Sequence, residues 1–157
     1  MPIIVQNDQR AIAIDQKWVG RTAEAILSVA RAETAELSVL LVSDRRMRAL
    51  NRRYRKKDRS TDVLAFPLTA TYHSVKRGQI YFPRLKINQS PVLLGDVVIS
   101  MQTAKRQAKE LGHSLRDEIE RLLVHGILHL LGYDHERNVR AAAAMARKER
   151  AILRAIQ

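Results

Sequence analysis

The chain has 157 residues, a length that fits one ordinary domain and allows a hydrophobic core to form without covalent staples. It contains no cysteine, which excludes disulfides and thiolate metal sites, so any metal must take nitrogen and oxygen ligands. Aromatic residues are only 4% of the chain, which argues against base-stacking platforms, and the formal net charge of +12 favours polyanionic partners, of which nucleic acid is the commonest.

The N-terminal region does not have the pattern of an export signal. No basic stretch is followed there by a long apolar run, and no apolar run in the chain reaches the length of a membrane span. The absence of cysteine also suits a reducing compartment. We therefore expect a cytoplasmic protein that does not bind membranes.

The first predicted elements alternate between strand and helix. A short strand is predicted over Ile3–Val5 and a helix over Trp18–Ala32. The segment Glu36–Val42 (ELSVLLV) is rich in leucine and valine and predicts a second strand. The apolar residues that recur on one side of the first helix are Val19, Ala23, Ile26, Leu27 and Ala30.

A second helix is predicted directly after this strand. Ser43 or Asp44 can cap its first turn, and the helix runs to about Tyr54. Its apolar residues are spaced so that Met47, Leu50 and Tyr54 are expected to face inward.

The middle of the chain contains two further predicted strands separated by an irregular segment. Thr61–Phe66 predicts a strand closed by Pro67, and Asp96–Ser100 (DVVIS) predicts the next one. Between them, Thr69–Pro91 contains a glycine and two prolines and predicts a loop or an edge hairpin.

The last third of the chain is predicted to be helical. Helices are expected over Met101–Leu111, Leu115–Leu131 and about Asn138–Ile156. Strands and helices that mix early and helices that follow late predict a single α/β (α+β) domain over residues 1–157, with a small mixed sheet packed against helices.

The residues with the clearest chemistry lie in Val124–His135 (VHGILHLLGYDH). His125 and His129 are four residues apart on a predicted helix, so their side chains project from one face. Gly132 can adopt a positive φ and end the helix, after which the chain turns back and His135 can supply a third ligand. Three protein ligands leave one position open, which is typical of catalytic zinc. We therefore predict a metal site on this helix and the turn after it.

The spacing matches the long zincin signature HExxHxxGxxH except at its second position, where this chain has Gly126. In those peptidases a glutamate at that position is the general base, so the difference argues against peptide hydrolysis. Asp134, Glu136 or Asp96 could act as the base instead. Asp134 could equally orient a ligand histidine or serve only in the turn.

A basic segment, Arg45–Arg59, leads into the strand that begins at Thr61. Such a segment is often just a solvated helix face, but its density and the overall charge favour a track for an RNA backbone. Contacts of this kind position phosphates and do not read sequence. The segment contains nine basic residues: Arg45, Arg46, Arg48, Arg52, Arg53, Arg55, Lys56, Lys57 and Arg59.

Three blocks of this chain resemble the YbeY family, bacterial metal-dependent endoribonucleases of rRNA maturation. The most specific is HGILHLLGYDH. The segments Leu50–Pro67 (LNRRYRKKDRSTDVLAFP) and Leu93–Ser100 (LLGDVVIS) are similar to two further blocks of the family, in the same order. The resemblance therefore covers about Val39 to His135. The tail departs from it, because ERNVRAAAAMARKERAIL is rich in alanine and arginine where the family tends to be acidic; Glu136, Met145 and Glu149 fit the usual pattern.

The resemblance implies that His125, His129 and His135 hold one zinc ion per chain, although three imidazoles also suit copper, nickel or iron. It also implies that Arg55 is required for function, and a guanidinium is well suited to hold a phosphate. The implied activity is single-strand-specific cleavage of RNA in 16S 3′-end processing and ribosome quality control. The implied partners are rRNA and ribosomal subunits, and DNA is not expected.

Two other classes of function remain open on the sequence. One is a metal-dependent hydrolase of another bond, including a zincin-like peptidase, which the histidine spacing suggests and Gly126 opposes. The other is a non-catalytic ribosome-assembly factor with a structural metal. A ligand set of only three histidines opposes it, since closed structural sites use four ligands.

Overall fold

A four-stranded mixed sheet lies at the centre of the fold. The computed structural model describes residues 3–68 and 93–157. Within these ranges β1 (Ile3–Asn7), β2 (Glu36–Val42) and β4 (Leu93–Ser100) run parallel, and β3 (Val63–Pro67) is antiparallel to β4. The order across the sheet is β1-β2-β4-β3. The predicted α/β class with a small mixed sheet is confirmed.

Five helices pack around this sheet in the described part of the chain. They are α1 (Gln16–Val29), α2 (Asp44–Arg55), α3 (Met101–Leu111), α4 (Leu115–Leu130) and α5 (Val139–Ile156). Each corresponds to a predicted helix, with shifts only at the ends. None of these helices is long and apolar enough to span a membrane.

The bounds of the strands agree less closely with the predicted bounds than those of the helices do. β4 begins at Leu93, three residues before the predicted start, because pairing with β2 and β3 continues through Gly95. The loop or hairpin predicted over Thr69–Pro91 lies outside the described residues.

The two faces of the sheet carry cores of different size. On one face, α1 and α4 cover side chains such as Leu37, Val39 and Val97, and α5 packs against these two helices. On the other face, α2 covers a smaller cluster built on Met47 and Leu64. α4 is the central helix, since most of its length is buried on all sides, as a helix inside a core must be.

Helix α2 begins as predicted, but one residue of its last turn differs from the prediction. Ser43 is its cap, since the Ser43 hydroxyl accepts a hydrogen bond from the backbone of Arg46. Tyr54, which was predicted to face inward, is 57% exposed, and its ring lies edge-on against Phe66. The prediction was wrong because α2 covers only a small cluster on its side of the sheet, so its last turn projects past the core.

Asp44 holds the start of α2 against β4 and α3. Its carboxylate accepts hydrogen bonds from Ser100 and Thr103, each at 2.6 Å, and pairs with Arg106 at 2.8 Å. Burial alone would raise the pKa of Asp44, but the bonds from Arg106 and the two hydroxyls outweigh it and lower the pKa to about 2. This contact fixes the start of α2 relative to β4 and α3.

Candidate metal centre and its cavity

Helix α4 and the turn that follows it bring the three histidines together. His125 and His129 lie one turn apart on α4, as predicted. Gly132 adopts a φ of 101°, a conformation that glycine tolerates best, and the chain then turns so that His135 meets the other two. One nitrogen from each ring lies within 4.8 Å of the others. The structure therefore confirms the predicted convergence of the three side chains.

The donor set fits a metal ion. The Nε2 of His129 is 3.0 Å from the Nδ1 of His135, and a tetrahedral zinc site places its nitrogen ligands about 3.3 Å apart. Burial, together with neighbouring His125 and His135, lowers the pKa of His129 to about 4. His129 is therefore neutral near pH 7, and the neutral imidazole is the form that binds metals.

Glu149 of α5 orients the first of these histidines. Its Oε1 lies 2.5 Å from the Nδ1 of His125, and both side chains are about three-quarters buried. Because Nδ1 is engaged, the Nε2 of His125 is the nitrogen left for a metal. A carboxylate that fixes a ligand histidine is a recurring feature of metal sites. The sequence held one signal of this role: Glu149 lies at helical spacing between the inward-facing residues Met145 and Ile152.

We expect Glu149→Ala to weaken metal binding by about 10- to 100-fold, because His125 loses the partner that fixes its ring. Glu149→Gln should weaken metal binding less, since the amide oxygen can still accept the hydrogen bond from Nδ1 of His125. Competition with a chromophoric chelator measures the affinity. Glu110→Ala, which removes an exposed carboxylate on α3, is the matched control. Wild-type affinity in Glu149→Ala would contradict this role.

The histidines open into a cavity of about 620 Å³. Its wall includes Arg55, Asp134 and Glu136. Asp96 does not line it: the adjacent Val97 faces α4, so Asp96 points to the opposite face of the sheet. Of the three candidate bases in the sequence, only Asp134 and Glu136 therefore lie at the cavity.

Only part of the predicted basic segment reaches this cavity. Arg55, Lys57 and Arg59 line it, and Arg55 is close enough to contribute to the lowered pKa of His129. Arg48 instead pairs with Asp58 on the surface at 2.9 Å. The remaining basic residues of the segment are exposed and do not line the cavity: Arg45, Arg46, Arg52, Arg53 and Lys56.

A left-handed turn after α2 places these three cations. Lys56 has a φ of 56° and ends the helix directly after Arg55. Asn51 is 3% exposed, and its Nδ2 donates to the carbonyl of Arg59 at 2.8 Å, while its own carbonyl accepts from Lys57. Asn51, which sequence reasoning did not single out, thus ties both ends of the turn to the helix.

Gly126 packs directly against the sheet. A Cβ added there would lie 2.7 Å from Cγ1 of Val97 and 3.3 Å from Cγ2 of Val63. The position that carries the base in the zincin signature therefore has no room for a side chain in this fold. The sequence indicated a missing base, and the structure adds that a glutamate could not be accommodated.

A buried acid lies two turns before His125 on the same helix. Glu118 is fully buried and is held by Arg121 at 2.7 Å, Gln107 at 2.7 Å and His113 at 3.1 Å. Burial opposes its ionisation, but the bonds from Arg121 and Gln107 outweigh burial and lower its pKa. Gln107 also donates to Asp62 on the cavity wall at 3.2 Å. This network, which sequence reasoning missed, joins α3 and α4 to the cavity.

Comparison with known proteins agrees with these features. A family model described as Endoribonuclease YbeY matches residues 4–157. An Endoribonuclease YbeY of Aquifex aeolicus is 45% identical over 137 residues, which are 86% of this chain and 78% of that protein. One of Pelotomaculum thermopropionicum is 41% identical over 157 residues, 98% of this chain and 95% of that protein.

A solved structure supports the fold. The solution structure of a Thermotoga maritima protein superimposes with a TM-score of 0.62 at 23% identity, over 98% of this chain and 88% of that chain. With the family match over nearly the whole sequence, the chain belongs to the endoribonuclease YbeY family.

Proposed function

We propose that this protein is a zinc-dependent endoribonuclease that cleaves single-stranded RNA. One observation carries the proposal: three converging histidines share a cavity with Arg55, Lys57 and Arg59. Metal-ligating groups and phosphate-binding groups thus face the same space. Family membership supports RNA as the substrate. We place the activity in the cytoplasm, in rRNA maturation at the 16S 3′ end and in ribosome quality control.

The proposed roles follow from the position of each side chain. A zinc ion held by the three histidines would supply Lewis acidity at a phosphoryl oxygen and leave one ligand position open. Arg55 binds the scissile phosphate and stabilises the charge that develops on it. Lys57 and Arg59 hold neighbouring phosphates along the rim. Glu149 keeps His125 oriented throughout.

The product ends identify the nucleophile. RNA carries its own nucleophile, the 2′-hydroxyl, and its attack leaves a 2′,3′-cyclic phosphate. A 5′-phosphate with a 3′-hydroxyl would exclude internal attack. Asp134 and Glu136 line the cavity and can accept a proton in either case.

The function is tested by measuring metal content and cleavage on the same preparation. We expect about one equivalent of zinc per chain and cleavage of single-stranded RNA with little cleavage of a duplex of the same sequence. Cleavage of a casein-type substrate that is lost in His129→Ala would instead support a peptidase. Full rRNA processing by a folded, RNA-bound His125→Ala variant would support a non-catalytic assembly factor.

For Arg55→Ala we expect cleavage to fall by about 10²- to 10³-fold with metal content unchanged, because the arginine acts on the substrate and not on the ion. Arg55→Lys should recover part of the rate, since it restores the charge without the planar fork. Arg46→Ala, an exposed arginine of the same helix outside the cavity, is the control. Loss of metal from Arg55→Ala would contradict the assigned role.

A further inference from the structure

Helix α5 carries different chemistry on its two faces. Its inward face holds Met145 and Ile152 in the core and Glu149 against His125. Its outward face carries four exposed arginines: Arg140, Arg147, Arg150 and Arg154. The first group connects the helix to the metal centre, whereas the cavity does not use the second.

The four arginines form a row. Arg140, Arg147 and Arg154 follow each other at intervals of seven residues, so on a helix of 3.6 residues per turn they lie nearly above one another and span about 21 Å. Arg150 lies beside them, one turn before Arg154. Glu149 lies nine residues after Arg140, which places it on the opposite side of the helix. The row, which we call the α5 arginine row, therefore faces solvent, with Arg140, Arg147 and Arg154 on the side away from Glu149 and Arg150 at its edge.

The row keeps its charge unneutralised. Two arginines near the sheet, by contrast, are paired with acids: Arg106 with Asp44 and Arg121 with Glu118. Among residues 3–68 and 93–157, no ion pair or hydrogen bond involves the side chains of the α5 arginine row. Glu149 is the only acid in α5 and it points inward. Small alanines separate the arginines, so a large partner can approach closely.

We propose that the α5 arginine row is a second RNA-binding surface, which holds the phosphodiester backbone of a substrate outside its cleavage site. The proposal rests on RNA as the proposed substrate. Arginine offers phosphate a planar fork of donors, and a row of this length matches an extended polyanion. An anionic membrane is the poorer partner, because a helix that binds membranes presents several large apolar residues beside its cations, whereas the exposed apolar residues of α5 are alanines apart from Val139 at its start.

The position of the α5 arginine row determines which RNA molecules can contact it. Because it faces away from the histidines, an oligonucleotide that only fills the cavity cannot reach it. A long or folded RNA can contact both surfaces. We therefore expect the row to affect the binding of long RNA without affecting the cleavage of short RNA.

The test compares two triple variants with equal loss of charge. One is Arg140→Gln, Arg147→Gln and Arg154→Gln. The control, Lys17→Gln, Lys105→Gln and Lys109→Gln, removes exposed lysines of α1 and α3. Glutamine is a good helix former, so both should fold. Binding of a long rRNA-derived transcript is measured over a series of salt concentrations, and cleavage is measured on a short single-stranded oligonucleotide.

In the row variant, the slope of log affinity against log salt concentration should fall by about 2 to 3, because each lost phosphate contact removes about 0.7 to 0.9. The control should keep nearly the wild-type slope, and arginine-to-lysine changes in the row should largely keep it too. Cleavage of the short oligonucleotide should be unchanged in all variants.

Three results would overturn the proposal. The row variant and the control could have the same salt slope, or the row variant could lose cleavage of the short oligonucleotide as much as it loses binding of the long RNA. The third is a row variant that binds anionic vesicles more weakly but binds RNA as the wild type does. If the wild-type protein bound long RNA through the row but cleaved no RNA, the result would support the row as an RNA-binding surface and contradict the proposed catalytic function.

Discussion

His129→Ala is expected to abolish metal retention and to reduce RNA cleavage by about 10³-fold or more. His129 is the central histidine of the cluster, one turn from His125 and 3.0 Å from His135. The two histidines that remain, His125 on α4 and His135 in the turn after it, would not hold an ion through purification. A bound metal contributes several kcal/mol of transition-state stabilisation, and about 4 kcal/mol corresponds to this factor.

The measurement is elemental analysis with a cleavage assay, after circular dichroism has shown that the variant is folded. A chelator should produce the same loss in the wild-type protein, and added zinc should restore the wild type but not the variant. His113→Gln is the control, because His113 lies outside the cluster and glutamine keeps a donor for Glu118. Cleavage at the wild-type rate by metal-free His129→Ala would refute a role for the metal in catalysis.

Gly126→Ala is expected to destabilise the fold by about 1 to 3 kcal/mol. An alanine in a helix interior normally stabilises relative to glycine, but here its Cβ would lie 2.7 Å from Val97 and force α4 away from the sheet. Gly126→Glu should be far more damaging and leave little folded protein, because it also buries a charge against β3 and β4. Denaturant unfolding measures the difference.

The same change at Gly20 separates packing from helix propensity. Gly20 lies within α1, and a Cβ there would meet Val5 at 3.7 Å, an ordinary contact. Gly20→Ala should therefore stabilise by roughly 0.5 to 1 kcal/mol. Adding Val97→Ala to Gly126→Ala should cost less than the sum of the two single changes, since the smaller side chain makes room. A Gly126→Ala variant as stable as Gly20→Ala would contradict the close contact with the sheet.

The convergence of the three histidines could be predicted because it depends on short-range geometry. The spacing of His125 and His129 places both on one helix face, and Gly132 permits the turn that returns His135. The α/β class followed in the same way from runs of apolar residues. Tyr54 shows the limit of such patterns: its spacing predicted burial, but burial also needs a neighbouring element to cover it.

The surroundings of the site depend on contacts between distant segments. Glu149 is 24 residues from His125 in the chain and meets it only because α5 packs back against α4. Arg55 reaches the cavity because Asn51 and Asp44 fix α2 and its final turn. The sequence by itself therefore determined the helix, the turn and the three histidines that meet there, since helical periodicity and glycine's conformational freedom act locally. Three features depend on how the helices pack on the sheet, so only the tertiary structure decided them. These are the carboxylate that orients His125, the three of nine basic residues that line the cavity, and the lack of room for a side chain at Gly126.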